Sequence, residues 1–228
     1  MLDHLITQDD SLRMVPTDRS ELTTAIGQLH VELRALPEGT DPDRTRVLSR
    51  WIGIGQMCLG NHEEARTILR QSLDLAAALG NTRAVVATGL NLGDAHRYAG
   101  DVQTADALYR SALDAARSRH PELVDFALQH TGKHLMERGD LAGARAHLRE
   151  ALRLRIAKGD TELVESTQAA LDRVDLLIGR TDAAVAGAGR SDGSGAGTMA
   201  AGGIGAMLGE TRGRRTGWPP AVEERGRR

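Results

Sequence analysis

Four glycines, Gly60, Gly100, Gly139 and Gly179, stand 40, 39 and 40 residues apart. A fixed spacing of this size limits the chain to folds made of one unit repeated in a row. The same skeleton surrounds the first three. Gly93 precedes Gly100 by seven residues, Asp101 follows at once, and Ala105, Tyr109, Ala112 and Leu113 fall at helical spacing on one face. Gly53, Gly60, Asn61, Ala65, Leu69, Ser72 and Leu73 repeat it on one side, and Gly132, Gly139, Asp140, Ala144, Leu148, Ala151 and Leu152 on the other. The columns reach back to Ala25, Leu29 and Leu33, so the stripe of Leu22, Ala25, Ile26, Leu29, Leu33 and Leu36 predicts a helix over 19–36 that is the second half of a unit.

The punctuation between stripes is that of helical corners. Asp41-Pro42 reads as an N-cap with proline at the first helical position, where its missing N–H costs nothing. Gly60 is placed to take the left-handed conformation that closes a helix; Asn61 is placed to cap the next, with Glu64 completing a capping box. Gly80-Asn81 and Gly159-Asp160 repeat this chemistry. The predicted helices are 42–59, 61–79, 82–99, 101–118, 122–138, 140–158 and 161–178. After Gly179 a short last helix is expected, with Ala184 in the alanine column and Ala188 where a large apolar residue belongs. Hydrophobic residues make up 40% of the chain and aromatic residues only 2%, so small side chains must do most of the packing, and the expected class is all-α. Gly53, Gly93 and Gly132 are expected where a partner helix comes close through Ala65, Ala105 and Ala144.

Three segments follow. Residues 1–18 lack a sustained period and are expected as a flexible arm. The repeat domain spans 19–186. Residues 187–228 are rich in glycine, alanine and arginine and are expected to be disordered.

A small residue in the first helix, glycine at the corner, alanine early in the second helix and a large apolar residue four later resemble the tetratricopeptide repeat. The resemblance covers residues 19 to about 180. It departs from that family in its period of about 40 against the usual 34, and in Ser49, Gly89 and Leu128 at the early tryptophan position. It implies antiparallel helix pairs stacked into a right-handed α-solenoid whose concave groove carries the ligand contacts. By register, the inward positions are Arg50, Ile54 and Met57, then Leu90, Asn91, Asp94, Arg97 and Tyr98. Gln129, His130, Lys133 and Glu137 follow in the next unit, and Arg173 in the last. Charges of both signs beside an aromatic and apolar floor suit an extended peptide or a helix better than a polyanion. Members that grip a C-terminal carboxylate use a clamp of lysine, asparagine and arginine; here only Arg50 and Asn91 fall near such positions, while Ile54 and Phe126 stand where polar groups are needed. The expected function is a non-enzymatic adaptor that binds a protein or peptide. The alternative is a regulatory sensor, like similar modules in bacterial transcription control, whose solenoid responds to a peptide or small ligand.

Other classes find little support. The formal net charge is −2, so no global field draws the chain to nucleic acid. The one basic candidate is the stretch 212–228, where Arg212, Arg214, Arg215, Arg225, Arg227 and Arg228 flank Trp218-Pro219-Pro220. The first twenty residues have neither a basic start nor a continuous apolar stretch, and no run approaches the roughly 18 apolar residues that span a bilayer. The single cysteine, Cys58, fits packing in a reducing, cytoplasmic setting. His130 and His134 have the i, i+4 spacing of a metal pair, but no third ligand is evident, and no metal or other cofactor is expected. No nucleophile–base pair appears, so no enzyme is expected. The glycines at 203, 205 and 209 follow no strand and are set aside as low-complexity sequence. Leu171, Val174, Leu177 and Ile178 near the end of the repeats are candidates for self-association.

Overall fold

The computed structural model describes residues 1–188, with side chains through Ala184. The expectations placed on the tail beyond Ala188, including the arginine clusters and the glycine strings, lie outside the described residues. Eight α-helices follow a short N-terminal hairpin among those described: α1 (Arg19–Ala35), α2 (Pro42–Cys58), α3 (His62–Ala78), α4 (Thr82–Tyr98), α5 (Val102–Arg119), α6 (Val124–Glu137), α7 (Leu141–Lys158) and α8 (Thr161–Ala188). A 3₁₀ turn, Pro121–Leu123, leads into α6. Each helix packs on its sequence neighbours, and α2 touches α4, α4 touches α6, and α6 touches α8. This is an all-α solenoid of antiparallel pairs. Helices of 17 or 18 residues, about five turns each, account for a period longer than 34.

The corners work as their sequences require. Gly100 sits at φ +80°, a left-handed backbone that costs glycine nothing. Its N–H donates to the Arg97 carbonyl, and the Asp101 N–H reaches back to His96. These two bonds satisfy carbonyls that the helix end would leave unpaired. The Asp101 carboxylate then accepts from the Thr104 N–H and starts α5. Gly60, Gly80 and Gly139 repeat the paired bonds. Asn61 departs from expectation: its side chain makes no cap bond, and its amide donates to Gln56 instead.

Gly179 does not turn the chain. Gly60, Gly80, Gly100, Gly139 and Gly159 have positive φ, Gly179 does not, and α8 runs through it to Ala188. The reason lies one residue on. The turning glycines are followed by Asn or Asp, which can accept from the next helix's N–H groups, whereas Arg180 has no acceptor to offer. The expected short final helix is therefore the last part of α8.

The closest approaches fall on the large residue of each unit, and at Gly132 the Ala144 carbonyl also comes within 3.3 Å of the Cβ position. A Cβ at Gly93 would lie 2.7 Å from Tyr109 Cε1; one at Gly53 would lie 2.6 Å from Leu69 Cγ, and one at Gly132 2.8 Å from Leu148 Cγ. Ala65, Ala105 and Ala144 are fully buried beside these contacts. At the far end, Leu171 and Val174 are buried in a cluster with Met136, Ala144 and Leu148, so they are unavailable for self-association. Leu177 and Ile178 are partly buried against the same cluster, and Leu176 is exposed.

The largest departure is at the N-terminus. Residues 1–18 are a docked element: β1 (Ile6–Gln8) pairs antiparallel with β2 (Met14–Pro16), in the register Ile6↔Pro16, Thr7↔Val15, Gln8↔Met14. Asp9 Oδ1 accepts the N–H groups of Ser11 and Arg13 and closes the loop. Leu2, Leu5, Ile6, Leu12 and Met14 are all buried. Their apolar area offsets the ordering cost that would otherwise leave the segment loose.

Candidate functional site

The inner helices α2, α4 and α6 present a polar floor to the hairpin, and Asp94 is its centre. Only 1% of Asp94 is exposed. Its Oδ1 accepts from Tyr109 Oη at 2.7 Å and Arg97 Nη2 at 2.9 Å, and its Oδ2 stands 2.7 Å from His130 Nδ1. Burial would raise the Asp94 carboxyl; the charges of His130 and Arg97, with the hydrogen bonds, overcome it and hold the group well below the usual carboxylate range. Glu137 ties this cluster to the hairpin. It accepts Arg97 Nη1 at 2.6 Å and takes Arg13 in a two-pronged pair, Nε at 3.0 Å and Nη2 at 2.8 Å. The guanidinium groups of Arg13 and Arg97 lie 5.0 and 4.8 Å from the centre of the Tyr98 ring. The Tyr98 hydroxyl accepts the Met14 N–H at 2.5 Å.

A second buried network joins α6, α7 and α8. Arg155 Nε donates to Asp125 Oδ2 at 3.0 Å, and Arg155 Nη1 reaches Gln129 Oε1 and Thr167 Oγ1. Lys158 Nζ pairs with the other Asp125 oxygen. Between the two networks lies a cavity of about 20 Å³, room for about one water molecule. The hairpin contributes Gln8, Leu12 and Met14 to its walls; Asp94, Arg97, His130, Lys133 and Arg155 are among the floor residues. Lys133 is 6% exposed, and its ammonium makes no hydrogen bond or ion pair among the described residues. Burial, with repulsion from Arg97 and Arg155, pushes it down to about 7 against the opposing pull of Asp94 and Asp9.

The tetratricopeptide-repeat profile matches residues 43–118. A comparison with the curated proteins finds no match. Among solved structures, BtubC from P. vanneervenii is similar over 84% of this chain and 82% of its own, with 14% identity and a TM-score of 0.53. A putative kinesin light chain from Podosopora anserina, with nearly identical TPR-like repeats, is similar over 73% of this chain and 83% of its own, with 16% identity and a TM-score of 0.52. A single-substitution variant of that protein gives 17% and 0.53 over the same shares. Residues 43–118 are tetratricopeptide repeats. At these identities the solved structures show the fold alone.

In this α-solenoid most residues expected along an open groove are brought together, but they are covered. Asp94, Arg97, Tyr98, Gln129, His130 and Lys133 line the cavity, and Glu137 pairs with Arg97 outside the lining. Ile54 and Met57 pack into one apolar cluster with Leu2, Leu5, Ile6 and Met14. Arg50 is buried and donates to Asn91 Oδ1 at 2.9 Å, a bond between α2 and α4 that leaves Asn91 Nδ2 buried without a hydrogen-bond partner among the described residues. Leu90 is a core residue, packed with Val86, Ala105 and Tyr109. Arg173 is half-buried on α8 and does not line the cavity.

His130 and His134, which have the spacing of a metal pair although no metal is expected, diverge: His130 meets Asp94, while His134 Nε2 meets Asp106 at 2.9 Å. Among the described residues no group of three His, Cys, Asp or Glu side chains is placed to hold a metal ion. Cys58 is buried, and burial first, then the Asp94 charge, pushes its thiol up to about 12, the state of a packing residue. Nor, among the described residues, is any helix long and apolar enough to cross a membrane. Sequence reasoning missed the hairpin residues Gln8, Leu12, Arg13 and Met14, and the Asp125–Arg155 pair. Ile6-Thr7 and Val15 around Asp9-Asp10-Ser11 are the only hairpin signal, in strands too short to show alternation.

Proposed function

We propose that the chain is a non-enzymatic adaptor that binds a protein or peptide partner through the concave face formed by α2, α4 and α6. Tetratricopeptide repeats generally mediate protein–protein interactions. One observation carries the reading here: the face already holds an extended segment of the chain. The 6–16 hairpin engages it through a backbone N–H on Tyr98, an ion pair on Glu137 and apolar side chains set between helices. An incoming peptide would use contacts of the same kinds. Arg50, Asn91 and Leu90 then act as framework, and Tyr98, Gln129, His130, Lys133 and Glu137 as contacts. The cytoplasm is the setting assigned to this role, since one cysteine in the whole sequence suits a reducing compartment.

The test is to lock the face shut. Arg13→Cys and Glu137→Cys, closed by a short bifunctional maleimide, hold the hairpin in place, and the uncrosslinked double variant is the control. Locked protein should lose partner capture that the control retains. Equal capture by both would remove this face as the binding site.

A further inference from the structure

Lys133 is the odd cation in the floor of the solenoid. Arg97 is matched by Asp94 and Glu137, and Arg155 by Asp125. Lys133, nearly as buried, makes no ion pair and no hydrogen bond with a described residue, although it lines the same polar cavity as Asp94, whose charge reaches it without direct contact. A buried ammonium without a direct ion-pair partner is costly, and a chain that keeps one at the centre of its groove leaves a place for a carboxylate. The hairpin nearly supplies one. Asp9 acts on Lys133 through its charge, but its Oδ1 is held by the Ser11 and Arg13 amides.

The hairpin is also built to be replaced. Leu12 reaches its buried position only in the left-handed region, at φ 61°, which strains a leucine. The Arg13 side chain that anchors the loop to Glu137 is 36% exposed, a weak tie. The cavity is far too small for a carboxylate side chain while Leu12 and Met14 close it. On these grounds we infer that the groove takes an extended peptide bearing an Asp or Glu side chain, whose carboxylate pairs with Lys133 as the peptide enters in place of the hairpin. The inference rests on the peptide-binding reading of this face and adds the chemistry of the ligand.

The experiment uses the full chain against a displayed library of random twelve-residue peptides, selected separately on wild type and on Arg13→Ala. Selected peptides should be enriched in Asp or Glu next to large apolar residues, and should bind Arg13→Ala more tightly than wild type. Lys133→Met should weaken them by about tenfold, the worth of one charge-assisted contact, while Lys133→Arg keeps most of the affinity. Lys133→Met should fold, since an apolar side chain replaces an unpaired charge; Lys133→Gln is the second variant. Peptides that bind without acidic enrichment, or that bind Lys133→Met and Lys133→Gln undiminished, would overturn the acidic ligand and leave the groove reading standing. Failure of both baits to select any peptide would overturn the groove reading, and this inference with it.

Discussion

Two neighbouring residues on α4 obey opposite rules. Gly93 belongs to the seam between paired helices, where a side chain would strike the Tyr109 ring. Asp94 belongs to the groove, where a carboxylate gathers Tyr109, Arg97 and His130 around it. In the seam, shape decides and chemistry is nearly absent, so one glycine–large-residue contact recurs from unit to unit. In the groove, charge decides: Arg97 and Arg155 are each matched by acids while Lys133 is not, and the networks differ between units. A repeat can therefore hold its architecture constant at one position while varying its surface at the next.

The strongest way to break this contrast is Asp94→Ala. It leaves His130 and the Tyr109 hydroxyl without their acid in a buried site, takes one of the two acids from Arg97 and should cost about 3–5 kcal/mol, seen as a lower urea midpoint with the slope unchanged. A loss under about 1 kcal/mol would show that water already satisfies the floor. Because the carboxyl is held low in the folded chain, its contribution is complete above the ordinary carboxylate range and disappears as pH falls through and below it.

Next comes the seam. Gly93→Leu overpacks against Tyr109 and should cost about 1–3 kcal/mol. Gly93→Ala should cost less, because only the ring must shift. If both variants keep the wild-type thermal midpoint, the close approach is not a constraint.

Lys133 sharpens the comparison from the other side, since here removing a charge should help. Its folded pKa, about 7, lies below the unfolded value near 10.5. Between these the unfolded chain holds more protons, so its contribution to stability rises with pH over that window. Lys133→Met should be more stable than wild type below the folded pKa, with an advantage that shrinks as pH rises toward the unfolded value. A difference that does not change with pH would mean that Lys133 is solvated or paired in solution.

The smallest effect is expected at the hairpin. Arg13→Ala removes a partly exposed pair worth at most about 1 kcal/mol, so the thermal midpoint should barely move. Hydrogen exchange at the Met14 amide should quicken, because the hairpin opens locally. Unchanged exchange would show that apolar burial alone seats it.

The seam was legible in the sequence because its rule is local. Gly60-Asn61, Gly100-Asp101 and Gly139-Asp140 each carry stop and start within two residues, and helical spacing then places Leu69, Tyr109 and Leu148. Gly179 misled for the same reason: the period announced a corner, but Arg180 stands where each turning glycine from Gly60 to Gly159 is followed by Asn or Asp. The groove residues could be located by register, yet their state could not. Asp94 and Tyr109 lie 15 residues apart, Arg97 and Glu137 40, and Arg13 and Glu137 124. The 40-residue step from Arg97 to Glu137 is one repeat, and it fixes where the two stand but not that they pair; the other two separations match no period.

The sequence by itself thus determined the helices, their corners and the stacked arrangement, because capping, glycine conformation and apolar periodicity act within a few residues of one another. Only the tertiary structure decided that residues 1–18 fold back as a hairpin, that they cover the face of α2, α4 and α6, and that Lys133 is left without an ion-pair partner. Those outcomes depend on which charges meet after the solenoid has closed. Burial turns such meetings from negligible surface contacts into ones that dominate the site.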